Sequence, residues 1–71
     1  MLNVQIETEP EKRVAVVSHR GPYETMGVTH EAIQAFCRER GRQLAGPSWE
    51  IYGDWYEDSS RLETEICYLL R

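Results

Sequence analysis

A single stretch of this 71-residue chain, residues 24–40, spaces its apolar side chains at steps of three and four. The segments before and after it alternate or run apolar at strand length, so the order is strand, strand, helix, strand, strand. One antiparallel sheet with one helix on one face follows from that order. Leu2, Val4 and Ile6 alternate with Asn3, Gln5 and Glu7, which makes residues 2–8 a half-buried strand, and Glu9-Pro10-Glu11-Lys12 is the turn that ends it. Residues 13–19 are β-branched and almost continuously apolar, as a central strand covered on both faces requires. The strand stops at Arg20-Gly21-Pro22. In the helical stretch Met26, Ile33, Phe36 and Cys37 share a face, with Thr29 and His30 filling the gap. Gly27 predicts an irregular first turn, and Arg38-Glu39-Arg40-Gly41 is a C-terminal signal. Residues 43–48 read as a loop ending in Gly46-Pro47-Ser48.

The last two strands carry the chemistry. Trp49-Glu50-Ile51-Tyr52 and Leu62-Glu63-Thr64-Glu65-Ile66 both alternate residue by residue. Trp49, Ile51, Leu62, Ile66 and Leu70 offer the helix an apolar surface, which predicts that Glu50, Tyr52, Glu63, Glu65 and Cys67 turn away from it. With Tyr52 near Glu63, Glu50 falls opposite Glu65, and three carboxylates share one face. Like charges across a strand pair are destabilising, so such a face sits in water or receives a cation. Residues 54–60 join the strands as a polar loop bearing Trp55 and Tyr56.

The formal charge of −4, with no basic stripe interleaved with aromatics, argues against nucleic acid as a partner. Arg38, Arg40 and Arg42 complement the carbonyl end of the helix instead. Cys37 and Cys67 form neither a disulfide framework nor a metal motif, and they are expected to act as small apolar residues in a reducing cytoplasm. The N-terminus has no signal-peptide pattern, and no run is long enough to cross a bilayer, so no membrane role is expected. His19 and His30 have neither metal-ligand spacing nor a nucleophile in reach, which gives them structural or surface roles. No catalytic residue set and no cofactor site is legible. A domain this small buries only about 60% of its unfolded surface, and such domains often gain stability by association.

Residues 14–23, Gly46-Pro47, Glu50-Ile51-Tyr52 and Leu62–Ile66, taken in this order and spacing, resemble the GyrI-like effector-binding domains. These occur alone and as the sensor parts of multidrug regulators. Members usually hold two strand-helix-strand-strand modules around a ligand cleft. Residues 1–71 make one module, similar to the C-terminal half, and the resemblance therefore implies a homodimer in which two copies enclose the cleft. It also implies binding of cationic, aromatic or amphipathic small molecules. Glu50 matches the family's acidic residue, Tyr52 the strand tyrosine beside it and Tyr23 the tyrosine of the Gly-Pro-Tyr turn. Glu63 and Glu65 match the strand where a second acidic contact is sometimes found. Trp55, with Tyr56, lines an entrance, joins a dimer contact or packs within its loop. Glu50 also reads as an exposed glutamate paired with an arginine. Two other functions stay open: a hydrolase of electrophilic small molecules that uses a pocket glutamate with a raised pKa, and a protein that antagonises a toxin or gyrase.

Overall fold

A computed structural model describes residues 3–9 and 11–71. It is an α+β domain in which every strand pairing is antiparallel. β1 (Gln5–Glu9) and β2 (Lys12–Arg20) form a hairpin, a 3-10 turn (Tyr23–Thr25) leads into α1 (Met26–Glu39), and β3 (Leu44–Tyr52) and β4 (Glu63–Leu70) form a second hairpin. The four strands lie in the order β1-β2-β4-β3, so the two hairpins join through β2 and β4. The first strand starts at Gln5 where the alternation allowed residue 2; Leu2, and Pro10 in the turn, lie outside the described residues.

The helix packs over the middle strands. Ala15 and Val17 of β2, Ile66, Tyr68 and Leu70 of β4, and Met26, Ile33 and Cys37 of α1 form the main core, with Val4, Ile6 and Phe36 at its margin. Thr29 is buried with them. Each fully buried side chain of Leu or Ile size stabilises by about 1.5–3 kcal/mol, so this small layer is what holds the helix to the sheet. The side of the sheet away from α1 has its own cluster, in which Trp49 and Leu69 cover Val14, Val16 and Cys67. Residues 14–17 are thus buried from both sides, as their continuous apolar character requires.

The loop expected over 43–48 is largely strand, because a β-bulge between Leu44 and Ser48 lets the chain keep pairing. Gly46 supplies the bulge with a φ of 116°, and Pro47 lies on an edge strand that needs no donor on its outer side. The helix begins as a 3-10 turn, in line with the irregular start predicted from Gly27.

The larger correction concerns β3. Trp49 pairs with Cys67, Glu50 with Ile66, Ile51 with Glu65 and Tyr52 with Thr64. Tyr52 was expected beside Glu63, and the difference of one residue exchanges the two faces of the strand. Trp49 and Ile51 lie on the outer face, where Trp49 shields Val14, Val16 and Cys67 from water. Glu50 and Tyr52 lie on the helix side, and the face with three carboxylates does not exist.

Candidate functional site

β3 is an edge strand, and α1 packs over the middle strands, so the helix-side face of β3 is a rim rather than a core. His30 lies on α1 at the point where the helix overlooks this rim. Its Nε2 is 2.7 Å from Glu50 Oε2, and its Nδ1 is 2.6 Å from the Tyr68 hydroxyl. Gln34, one turn further along the helix, donates its side-chain N–H to the same hydroxyl at 2.8 Å. On the other side of the carboxylate, the Tyr52 hydroxyl donates to Glu50 Oε1 at 2.7 Å. One continuous line therefore runs Gln34, Tyr68, His30, Glu50, Tyr52, and both carboxylate oxygens receive a hydrogen bond. Beyond it the Tyr23 ring meets the Tyr52 ring edge to face, with centroids 5.4 Å apart and planes at 81°.

The line is anchored at one end and open at the other. Tyr68 is buried and its ring meets the His30 imidazole edge to face at 5.6 Å, which fixes the base of the site. The side chains of His30 and Glu50 keep 25% and 29% of their surface, enough for a ligand to reach them. The hydrogen bond from His30, then the one from Tyr52, lowers the Glu50 pKa below its ordinary 4.5, with burial opposing weakly. The Tyr52 hydroxyl is raised in turn by the hydrogen bond it gives to Glu50. Glu50 is thus held ionised beside two exposed tyrosine rings. Next to it, Thr64 pairs with both His19 and Tyr52 in register; it is 1% exposed, and its hydroxyl has no hydrogen-bond partner.

Of the residues singled out from the sequence, Glu50, Tyr52 and Tyr23 come together. Glu63 and Glu65 do not join them. They belong to the outer face, where Glu65 pairs with Ser18 and Ile51, and Glu63 pairs with Arg20. Trp55 is 71% exposed on the loop that follows β3. Tyr56 packs within that loop, under the Arg61 guanidinium 4.2 Å from its ring centre.

His30 is the residue that sequence reasoning missed. Its place in the helical stripe made it look like a filler of the core face, and the partner that gives it meaning lies on another strand. His19 is structural. Its Nε2–H donates to the Pro22 carbonyl at 3.1 Å and its Nδ1 is hydrogen-bonded to the Thr29 hydroxyl at 2.7 Å, which ties the end of β2 to the start of the helix. Cys37 and Cys67 are free and buried on opposite sides of the sheet, and burial raises both thiol pKa values, so neither offers a thiolate. Among the described residues no cluster of His, Cys, Asp and Glu could hold a metal ion, and no helix is long and apolar enough to cross a membrane. A hydrolytic role requires a glutamate pushed up toward neutrality; Glu50 is shifted the other way, and both nitrogens of His30 are engaged.

Concavity alone does not mark the site. The larger depression, about 320 Å³, lies on the outer face between Asn3, Gln5, Glu7, Val16, Ser18 and Glu65, away from the Glu50 line. A second one, of about 160 Å³, runs past Ser18, Ile51, Tyr52, Glu63 and Thr64 at the mouth of the β3–β4 hairpin. Both are shallow grooves, while the preorganised charge and aromatic rings sit on the helix-side rim. The family model described as GyrI-like small molecule binding domain matches residues 2–71. No curated protein and no solved structure matches the chain significantly.

Proposed function

From the premise that this chain belongs to the family of GyrI-like small molecule binding domains, we propose that it binds cationic, aromatic or amphipathic molecules at Glu50. The observation that carries the proposal is the double hydrogen bond that keeps the Glu50 carboxylate ionised on an open rim beside Tyr52 and Tyr23. An organic cation is weakly hydrated and gives up little water to meet this carboxylate. Its flat or apolar body then covers the tyrosine rings, a contact that contributes about 0.5–2 kcal/mol according to how far the cation is desolvated. Trp55, exposed on the loop that follows β3, is assigned to the approach of the ligand.

A titration with a fluorescent xanthene cation tests this. Wild type is expected to bind it, and Glu50→Gln, which keeps the shape and removes the charge, is expected to bind about tenfold more weakly or worse, the equivalent of at least ~1.4 kcal/mol. Equal affinity would take Glu50 out of the site.

The homodimer is the second part of the proposal. Leu44, Ile51, Tyr52 and Trp55, all on β3 or the loop after it, are large apolar side chains left exposed, and β3 pairs with β4 alone among the described strands. A second copy set against this edge covers them and encloses the Glu50 rim from its open side. Free, buried cysteines suit a cytoplasmic setting, which is proposed with it.

A further inference from the structure

A His–Glu contact of 2.7 Å admits two charge states with opposite consequences for a cation. An imidazolium–carboxylate pair is neutral as a unit and attracts a cation weakly, whereas a neutral imidazole leaves the unit at one full negative charge. The partners on the far side of the ring distinguish the two.

We propose that Gln34 and Tyr68 hold His30 as a neutral imidazole with its proton on Nε2, and that His30 is thereby the positioning residue that fixes both the direction and the undiminished negative charge of Glu50. The Gln34 amide nitrogen has only protons to give, so the Tyr68 oxygen accepts at 2.8 Å. The proton of Tyr68 is then free to point to His30 Nδ1, 2.6 Å away. An Nδ1 that accepts carries no proton. The ring proton is on Nε2, 2.7 Å from Glu50 Oε2, and an ionised carboxylate can only accept it. Tyr52 delivers its proton to the other oxygen. Every donor in the line points toward the carboxylate.

Protonating Nδ1 would break this order. Its N–H would crowd a hydroxyl oxygen that already receives Gln34, and the Tyr68 O–H would lose its acceptor at a partly buried position. The groups facing the ring are Glu50 and Tyr68 from the sheet and Gln34 from its own helix; the charge of Glu50 favours a second ring proton, and against it stands the Tyr68 O–H, which would lose Nδ1 as its acceptor. The functional consequence rests on the reading of Glu50 as the counter-charge of the ligand; the proton order itself does not.

Two measurements on the whole chain test the inference, and the first needs no ligand. In a ¹⁵N-labelled sample near neutral pH, the His30 ring is expected to give the spectrum of the Nε2–H tautomer, with Nδ1 carrying no proton. A proton on Nδ1, alone or with one on Nε2, overturns the proposal. Gln34→Glu then replaces the donor by an acceptor of the same shape. It is expected to draw the Tyr68 proton toward itself and convert Nδ1 to a donor, a change read in the ring spectrum because the added negative charge itself favours a cation; Gln34 is linked to Glu50 through Tyr68 and His30. An unchanged ring spectrum in this variant overturns it as well. His30→Gln, which can still donate to Glu50 and cannot become charged, should recover most of the affinity that His30→Leu loses. If the dye fails to bind wild type, the cation reading falls while the ring spectrum still decides the state of His30. If the dye binds through Glu50 and the ring proves doubly protonated, only the present proposal falls.

Discussion

At the scale of single residues, Thr64 and Glu50 make opposite demands on the fold. Thr64 is almost fully buried with an unpartnered hydroxyl, a group that costs about 1–3 kcal/mol when left without a hydrogen bond. Thr64→Val keeps the shape and removes the cost, so it is expected to raise the melting temperature by about 4–8 °C per kcal/mol recovered in a domain of this size. A lower melting temperature would mean that the hydroxyl is satisfied. Glu50 contributes in the other sense. Its pKa in the folded chain lies below the ordinary 4.5, so the stability it brings is present above that value and is lost as pH falls from 4.5 toward the folded pKa. Thermal melts across this acid range should show a shallower loss in Glu50→Gln than in wild type. Some acid sensitivity remains, because Asp58, whose pKa is lowered by its hydrogen bonds to Ser60, titrates in the same direction. Identical slopes in the two proteins would contradict the assignment of Glu50.

Among the elements, α1 and β3 set the site between them, and each is held by a glycine with positive φ. The helix closes in a Schellman motif: Arg42 N–H bonds to Cys37 O at 2.8 Å, Gly41 N–H bonds to Arg38 O at 3.2 Å, and Gly41 takes φ 68°. An L-residue in this left-handed region costs about 1–2 kcal/mol, and Gly41→Ala is expected to lower stability by about 1 kcal/mol in a denaturant melt with the fold retained. No loss would mean that the helix ends differently. The motif was legible, since Arg38-Glu39-Arg40-Gly41 carries its signature in four consecutive residues. The bulge at Gly46 was not. Gly-Pro is a turn signal by local chemistry, and only the pairing of Leu44 with Leu70 reveals that the strand continues past it.

For the whole molecule the question is what covers the exposed edge. The core is one thin layer under α1, with a smaller cluster behind the sheet, and Leu44, Ile51, Tyr52 and Trp55 stand exposed on β3 and the loop after it. Sedimentation of the wild-type chain is expected to give the mass of a dimer. Ile51 is 51% exposed in the single chain, so Ile51→Lys has little core to damage and should shift the mass toward the monomer without a large drop in melting temperature. A wild-type monomer at high concentration would remove the dimer and leave the Glu50 rim open.

The order of the elements, the single helix on an antiparallel sheet, and which residues of each strand share a face were legible along the chain. These are properties of period and of nearest neighbours along the chain, and Glu50 with Tyr52, or Glu63 with Glu65, needed nothing more. Tertiary structure decided which of the two faces of β3 meets the helix. Trp49 and Ile51, the more apolar pair, looked suited to it; but β3 lies at the edge, outside the core that α1 covers, and Trp49 is needed behind the sheet over Val14, Val16 and Cys67. A one-residue difference in register then carried Glu50 from the supposed carboxylate face to His30, a partner 20 residues away in the chain. Register between strands is a non-local quantity, fixed by which surfaces are left to cover once the core has formed, and no local pattern encodes it.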